Sequence, residues 1–67
     1  MPVAKVVELS SSSKSSFEDA IQQGVKRASK TLKNVEGAWI KEQKVEVANG
    51  KVVGYRVNMM VTFVLED

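Results

Sequence analysis

The stretch from Val52 to Leu65 reads VVGYRVNMMVTFVL, and its two alternating rows decide the fold. Val53, Tyr55, Val57, Met59, Val61, Phe63 and Leu65 form an unbroken apolar row, the pattern of a strand buried on one face. The other row holds Val52, Gly54, Arg56, Asn58, Met60, Thr62 and Val64, a mixture too apolar for a solvated face. One helix covers one side of such a strand. A chain of 67 residues has little left to cover the other, so a second copy of the chain is expected to do it.

The length predicts a single domain over residues 1–67, near the lower limit for a core that stands alone. Cysteine and histidine are both absent, which removes disulfides, thiolate or imidazole metal ligands and the usual nucleophile and base pairs. Oligomerisation is the remaining common support for so short a chain. Ten basic and eight acidic residues give a net charge of +2 with signs that alternate along the chain. The nearest thing to a basic cluster is Lys26, Arg27, Lys30 and Lys33, late in a predicted helix, where cations complement the dipole and solvate a surface. No nucleic-acid partner is therefore expected. The apolar part of MPVAKVVEL is too short for a signal peptide and no stretch approaches a membrane span, so the expected setting is cytoplasmic with no membrane partner.

Val3 to Leu9 reads as a short first strand with charges in both rows, which suits a sheet edge. Ser10 to Ser16, all serine except Lys14, reads as a loop ending in a helix cap. Ser13 with Ser16, or Ser15 with Glu18, are alternative caps. Phe17, Ala20, Ile21, Gly24, Val25, Ala28 and Leu32 then fall at spacings of three and four, an amphipathic helix of about four turns with acids at its start and bases at its end. Gly24 lies on the apolar side, where it allows a close approach to a sheet.

Turn chemistry at Asn34 to Gly37 leads into a second long strand, GAWIKEQKVEV, which closes on Asn49-Gly50, the preferred pair for a type I′ hairpin. A two-residue loop sets Ile40 opposite Met59, Ala38 opposite Val61 and Glu42 opposite Val57 on the helix side. On the outer face it sets Trp39 opposite Met60, Lys41 opposite Asn58 and Gln43 opposite Arg56. A bulge would shift this register and exchange the faces. A right-handed crossover through the helix requires the third strand to lie in the middle. The fold class expected is α+β, with β-α-β-β order and a three-stranded antiparallel sheet wrapped around one amphipathic helix. Its outer face carries Trp39, Met60, Val45, Val47, Val52 and Val64 and is an interface candidate.

This order of elements, with the AKVVELSSSS start, the SFEDAIQQGVKRASKTLKNV helix, the EQKVEV strand and the closing YRVNMMVTFVLED, resembles the dodecins over almost the whole chain. The resemblance implies a hollow homododecamer built from trimers, with helices outside and sheets inside, that binds stacked flavins between subunits for storage or sequestration. Several bacterial dodecins also bind coenzyme A, and dodecins are not enzymes. No catalytic residue and no protein metal site is expected here.

In the flavin-binding pattern a tryptophan early in the second strand stacks on the isoalloxazine ring, and a glutamine after an aromatic residue in the third strand bonds its edge. Matched to this chain, those positions are Gly37 and Arg56, which places it in a subgroup with glycine at the stacking position. Trp39 stands two residues on, on the same face and displaced by about 7 Å. Three roles are open to it: stacking on a shifted planar ligand, packing against Met60 and a neighbouring subunit, or plugging the old site. Arg56 is open either to cross-sheet pairing near Gln43, Glu42 and Glu46 or to anchoring a phosphate-bearing ligand. The candidate binding set is Gly37, Trp39, Gln43 and Arg56. The leading expectation is a flavin, riboflavin or FMN. The alternative is a dodecameric shell that holds another anionic ligand such as coenzyme A, or a cation, or has a purely structural role. Glu66 and Asp67, repeated about an axis, offer acids for a cation, but frayed, solvated termini are the favoured reading of them.

Overall fold

The computed structural model describes residues 3–66. The elements follow in the order β1 (Ala4–Ser13), α1 (Phe17–Thr31), β2 (Val35–Ala48) and β3 (Lys51–Val64). The sheet order is β1-β3-β2 with both pairings antiparallel, so the most apolar strand is central, as its two rows require. The odd row of β3 meets the helix: Val57, Met59 and Val61 are fully buried against Ala20 and the nearly buried Ala28 of α1. Val7 and Leu9 of β1 and Phe17, Ile21, Val25 and Leu32 pack around them. Tyr55 joins this side, its ring edge-on to Phe17 at 5.1 Å between centroids.

β1 does not end at Leu9. The serine run continues the strand, with Ser10 to Ser13 paired to Asn58 through Tyr55. β3 is long enough to offer that edge, and backbone pairing outweighs the weak strand preference of serine. Ser13 then ends β1 and starts the turn. Buried to 7% exposure, its Oγ accepts from the backbone N–H of Ser15 and Ser16 and donates to Asp19 Oδ2 at 2.5 Å. The cap itself is Ser16, whose Oγ accepts from Asp19 N–H at 2.9 Å. β2 begins at Val35, directly after Asn34, whose φ of 63° turns the chain out of the helix.

Asn49 and Gly50, with φ of 53° and 74°, form the expected two-residue turn. The register of Ala38, Trp39 and Ile40 against Val61, Met60 and Met59 is also as expected. Between these points two irregularities, at Ile40/Glu42 and Glu46/Val47, shift the pairing by one and then restore it. Within the shifted segment Glu42 faces Asn58, Gln43 faces Val57, Lys44 faces Arg56 and Val45 faces Tyr55. The expected pairings of Glu42 with Val57, of Lys41 with Asn58 and of Gln43 with Arg56 are therefore corrected. Val45 likewise moves to the helix side of the sheet. A bulge adds one unpaired residue, here Lys41, and so exchanges the faces of all that follows until a second bulge cancels it.

Candidate functional site on the open sheet face

The face of the sheet turned away from α1 carries the even residues of β3, and among the described residues no element covers it. Its composition changes along the strands. Near the start of β2 it is apolar, with Trp39 52% exposed beside Met60, and Val6 of β1 also exposed. Gly37 lies two residues before Trp39, opposite Thr62, and a β-carbon there would meet nothing within 4 Å. The position is open space next to a large aromatic ring.

Lys41, the residue added by the bulge between Ile40 and Glu42, then reaches across β3 to Glu8 of β1, with 3.4 Å from Nζ to each carboxylate oxygen. Both side chains are about half exposed, so the pair contributes little to stability. Its consequence is positional, because it bounds the apolar end of the face. Beyond it the surface is polar. Asn58 Nδ2 donates to Glu42 Oε1 at 2.7 Å, and Arg56 Nη1 donates to Ser10 Oγ at 2.9 Å. Arg56 Nε lies 3.7 Å from Glu46 Oε2. Glu46 can lie over the central strand because its partner there is Gly54: a β-carbon on that glycine would stand 2.7 Å from Glu46 Oε1. Glu42, Gln43, Lys44, Arg56 and Asn58 line a cleft of about 160 Å³.

Of the four candidate residues, Gly37 and Trp39 lie together at the apolar end and Arg56 lies in the polar cleft on the same face. Trp39 pairs with Met60, four residues from Arg56 along β3, a separation of about 13 Å. Gln43 contributes to the cleft, but its register position is opposite the buried Val57, on the other side of the sheet from Arg56. Lys44, Asn58, Glu42 and Ser10 were not among the candidates. For the β2 members the missing signal is the bulge, which leaves no mark in the alternation of charged residues from Lys41 to Glu46. Ser10 was hidden by reading the serine run as loop.

Among the described residues no group of three acidic side chains is placed to hold a metal ion. Glu66 Oε1 accepts from Asn34 Nδ2 at 3.4 Å, and Asp67 lies outside the described residues. No described helix is long and apolar enough to cross a membrane.

The family model described as Dodecin matches residues 3–66. Among solved structures, the tt0972 protein from Thermus thermophilus is 36% identical with a TM-score of 0.94, over 100% of this chain and 98% of that one. Dodecin from Streptomyces davaonensis is 27% identical with a TM-score of 0.93, over 98% of this chain and 97% of that one. A calcium-chelating immunodominant antigen from Mycobacterium tuberculosis, a calcium dodecin with a novel calcium-binding site, is 28% identical with a TM-score of 0.83, over 96% and 91% of the two chains. Comparison with the curated proteins gives no match.

Proposed function

This chain belongs to the dodecin family, whose members are binding proteins without enzymatic activity, and on that premise we propose that it is a flavin storage or sequestration protein assembled as a homododecamer of trimers. The observation that carries this reading is the open sheet face, with Trp39 exposed beside a half-buried Met60 at one end and Arg56 in a polar cleft at the other. A half-exposed tryptophan beside the empty space at Gly37 suits a planar aromatic ligand, which gains most when sandwiched and dehydrated. One chain offers only one side of that sandwich. Trp39 and Arg56 stand too far apart within a chain to grip one ring system, so a complete site draws Gly37 and Trp39 from one copy and Arg56, with Gln43 and Lys44 at its cleft, from another. Glycine at the family's stacking position shifts the ring toward Trp39.

The test is a titration of flavin fluorescence with the purified protein, with its mass in solution measured on the same sample. Strong quenching by a dodecamer is the expected result. A dodecamer that leaves flavin fluorescence unchanged removes flavin from the proposal.

A second reading has its own observation. Lys44 and Arg56 oppose each other directly across β2 and β3, and like charges in that relation are unfavourable. Glu46 relieves Arg56 in part, and an anionic ligand such as coenzyme A would relieve both. A cation, as named for the mycobacterial neighbour, would need acids gathered from several copies.

A further inference from the structure

The helix carries a second charged surface, on the opposite side of the molecule from the sheet face. Residues 23, 26, 27 and 30 stand at the spacing i, i+3, i+4, i+7, which sets Gln23, Lys26, Arg27 and Lys30 on one exposed face of α1. They line a shallow cleft of about 290 Å³, and every side chain in it is a hydrogen-bond donor. Three of the four are cations, and Lys33 follows just past the helix end. None of these cations forms an ion pair among the described residues. The acids of α1, Glu18 and Asp19, are both in its first turn, and Asp19 already accepts from Ser13 and Gln23.

The helix dipole does not account for this arrangement. It amounts to about half a negative charge at the C-terminus, against four cations in eight residues. Lys26 with Lys30 and Arg27 with Lys30 are like-charged neighbours on the helix surface, an arrangement that opposes helix formation. The whole chain has a net charge of only +2, so these four leave the remainder at −2, and the positive field is concentrated here.

We propose that Gln23, Lys26, Arg27 and Lys30 form a binding site for a small ligand bearing a di- or triphosphate group. Successive phosphates bridge Lys26 and Lys30, one helical turn and about 6 Å apart, while Arg27 supplies paired donors to one of them. The face carries no aromatic ring to stack a base, and the apolar stripe of α1 is already spent on the sheet. A compact oligophosphate fits this cleft better than a nucleic-acid strand or a lipid surface.

The test is calorimetric titration of the intact protein with inorganic tripolyphosphate at low ionic strength, repeated at rising chloride. Expected is a Kd below ~1 mM that weakens with salt. The double variant Lys26→Gln/Lys30→Gln should bind at least about tenfold more weakly while keeping its mass and helical circular dichroism. Flavin binding at the sheet face should be unchanged in that variant, which separates this site from the other. Absence of binding by the unaltered protein, or undiminished binding by the double variant, overturns the proposal. So does binding of a single-stranded oligonucleotide without binding of tripolyphosphate.

Discussion

Gly24 of α1 and Met59 of β3 are in such close approach that a β-carbon on the glycine would stand 2.8 Å from the methionine Cε. The same atom would lie 3.1 Å from Ser11 Cβ and 3.3 Å from Leu9 Cδ1. Alanine would favour the helix by about 1 kcal/mol, but overpacking costs ~1–3 kcal/mol. Met59 is fully buried, so its terminal methyl gives way only by repacking against its neighbours, and Ser11 Cβ is tied to the β1 backbone. Overpacking wins. Gly24→Ala should lower stability by about 1 kcal/mol and Gly24→Val by more than ~2 kcal/mol, read from denaturant unfolding at fixed protomer concentration. An alanine variant more stable than the parent would show that the helix can ride outward without loss.

The turn between β1 and α1 rests on two serines with different work. Ser16 caps one helix N–H and is half exposed, so Ser16→Ala should cost about 1 kcal/mol. Ser13 is buried, accepts two backbone N–H groups and holds Asp19. Removing its hydroxyl leaves these groups without a partner in a place water reaches poorly, and Ser13→Ala should cost about 2 kcal/mol. Thermal unfolding of the two variants should rank Ser13→Ala below Ser16→Ala; the reverse order would mean that water enters the turn and replaces Ser13 Oγ.

That turn also marks where the sequence could and could not be read. Asn49-Gly50, the stripe of α1 and the apolar row of β3 each announce themselves locally, because a positive φ or a buried face restricts residue type at that very position. Ser10 to Ser13 do not, since serine pairs in a strand only when a long partner such as β3 lies beside it. The bulge at Lys41 was equally hidden. It depends on how β2 bends along β3, and Lys41, Glu42, Gln43 and Lys44 are polar on either face. Hence Trp39 and Gly37 were placed correctly near the unshifted end, while Gln43 and Val45 were assigned to the wrong side. The proposed ligand-binding set suffers further because Trp39 and Arg56 stand about 13 Å apart along β3 within one chain. A site completed by a second copy leaves in one sequence only the residues, not their convergence.

Arg56 distinguishes a ligand anchor from a structural pair. Its donors reach Ser10 and Glu46 of its own chain, and its side chain is 35% exposed. Exposed pairs of this kind contribute at most about 1 kcal/mol, so Arg56→Ala should leave fold and oligomer intact. It should weaken flavin or coenzyme A binding by about tenfold or more, the size expected for one charge-assisted hydrogen bond. Light scattering and ligand titration on one preparation read both effects. Dissociation of the oligomer with ligand affinity unchanged per assembled site would make Arg56 an interface residue instead.

Gly37 supplies the sharpest test of the flavin reading. A β-carbon there meets nothing within 4 Å, so a tryptophan enters without displacing any neighbour in its own chain. β2 is an edge strand and Gly37 has no positive φ, so no backbone strain opposes the change. Gly37→Trp should therefore fold with stability within about 0.5 kcal/mol of the parent, as surface substitutions do. It sets a second aromatic ring on the open face while leaving Trp39 in place. If the face is a flavin site with its ring shifted toward Trp39, the variant should quench flavin fluorescence at lower protein concentration, with affinity raised about tenfold by the added stacking contact. Trp39→Ala in the same background should then lose little, because the new ring has taken over. Should Gly37→Trp assemble normally and bind flavin no better than the parent, the open face is shaped for something other than an isoalloxazine, and the Lys44 and Arg56 cleft becomes the place to look.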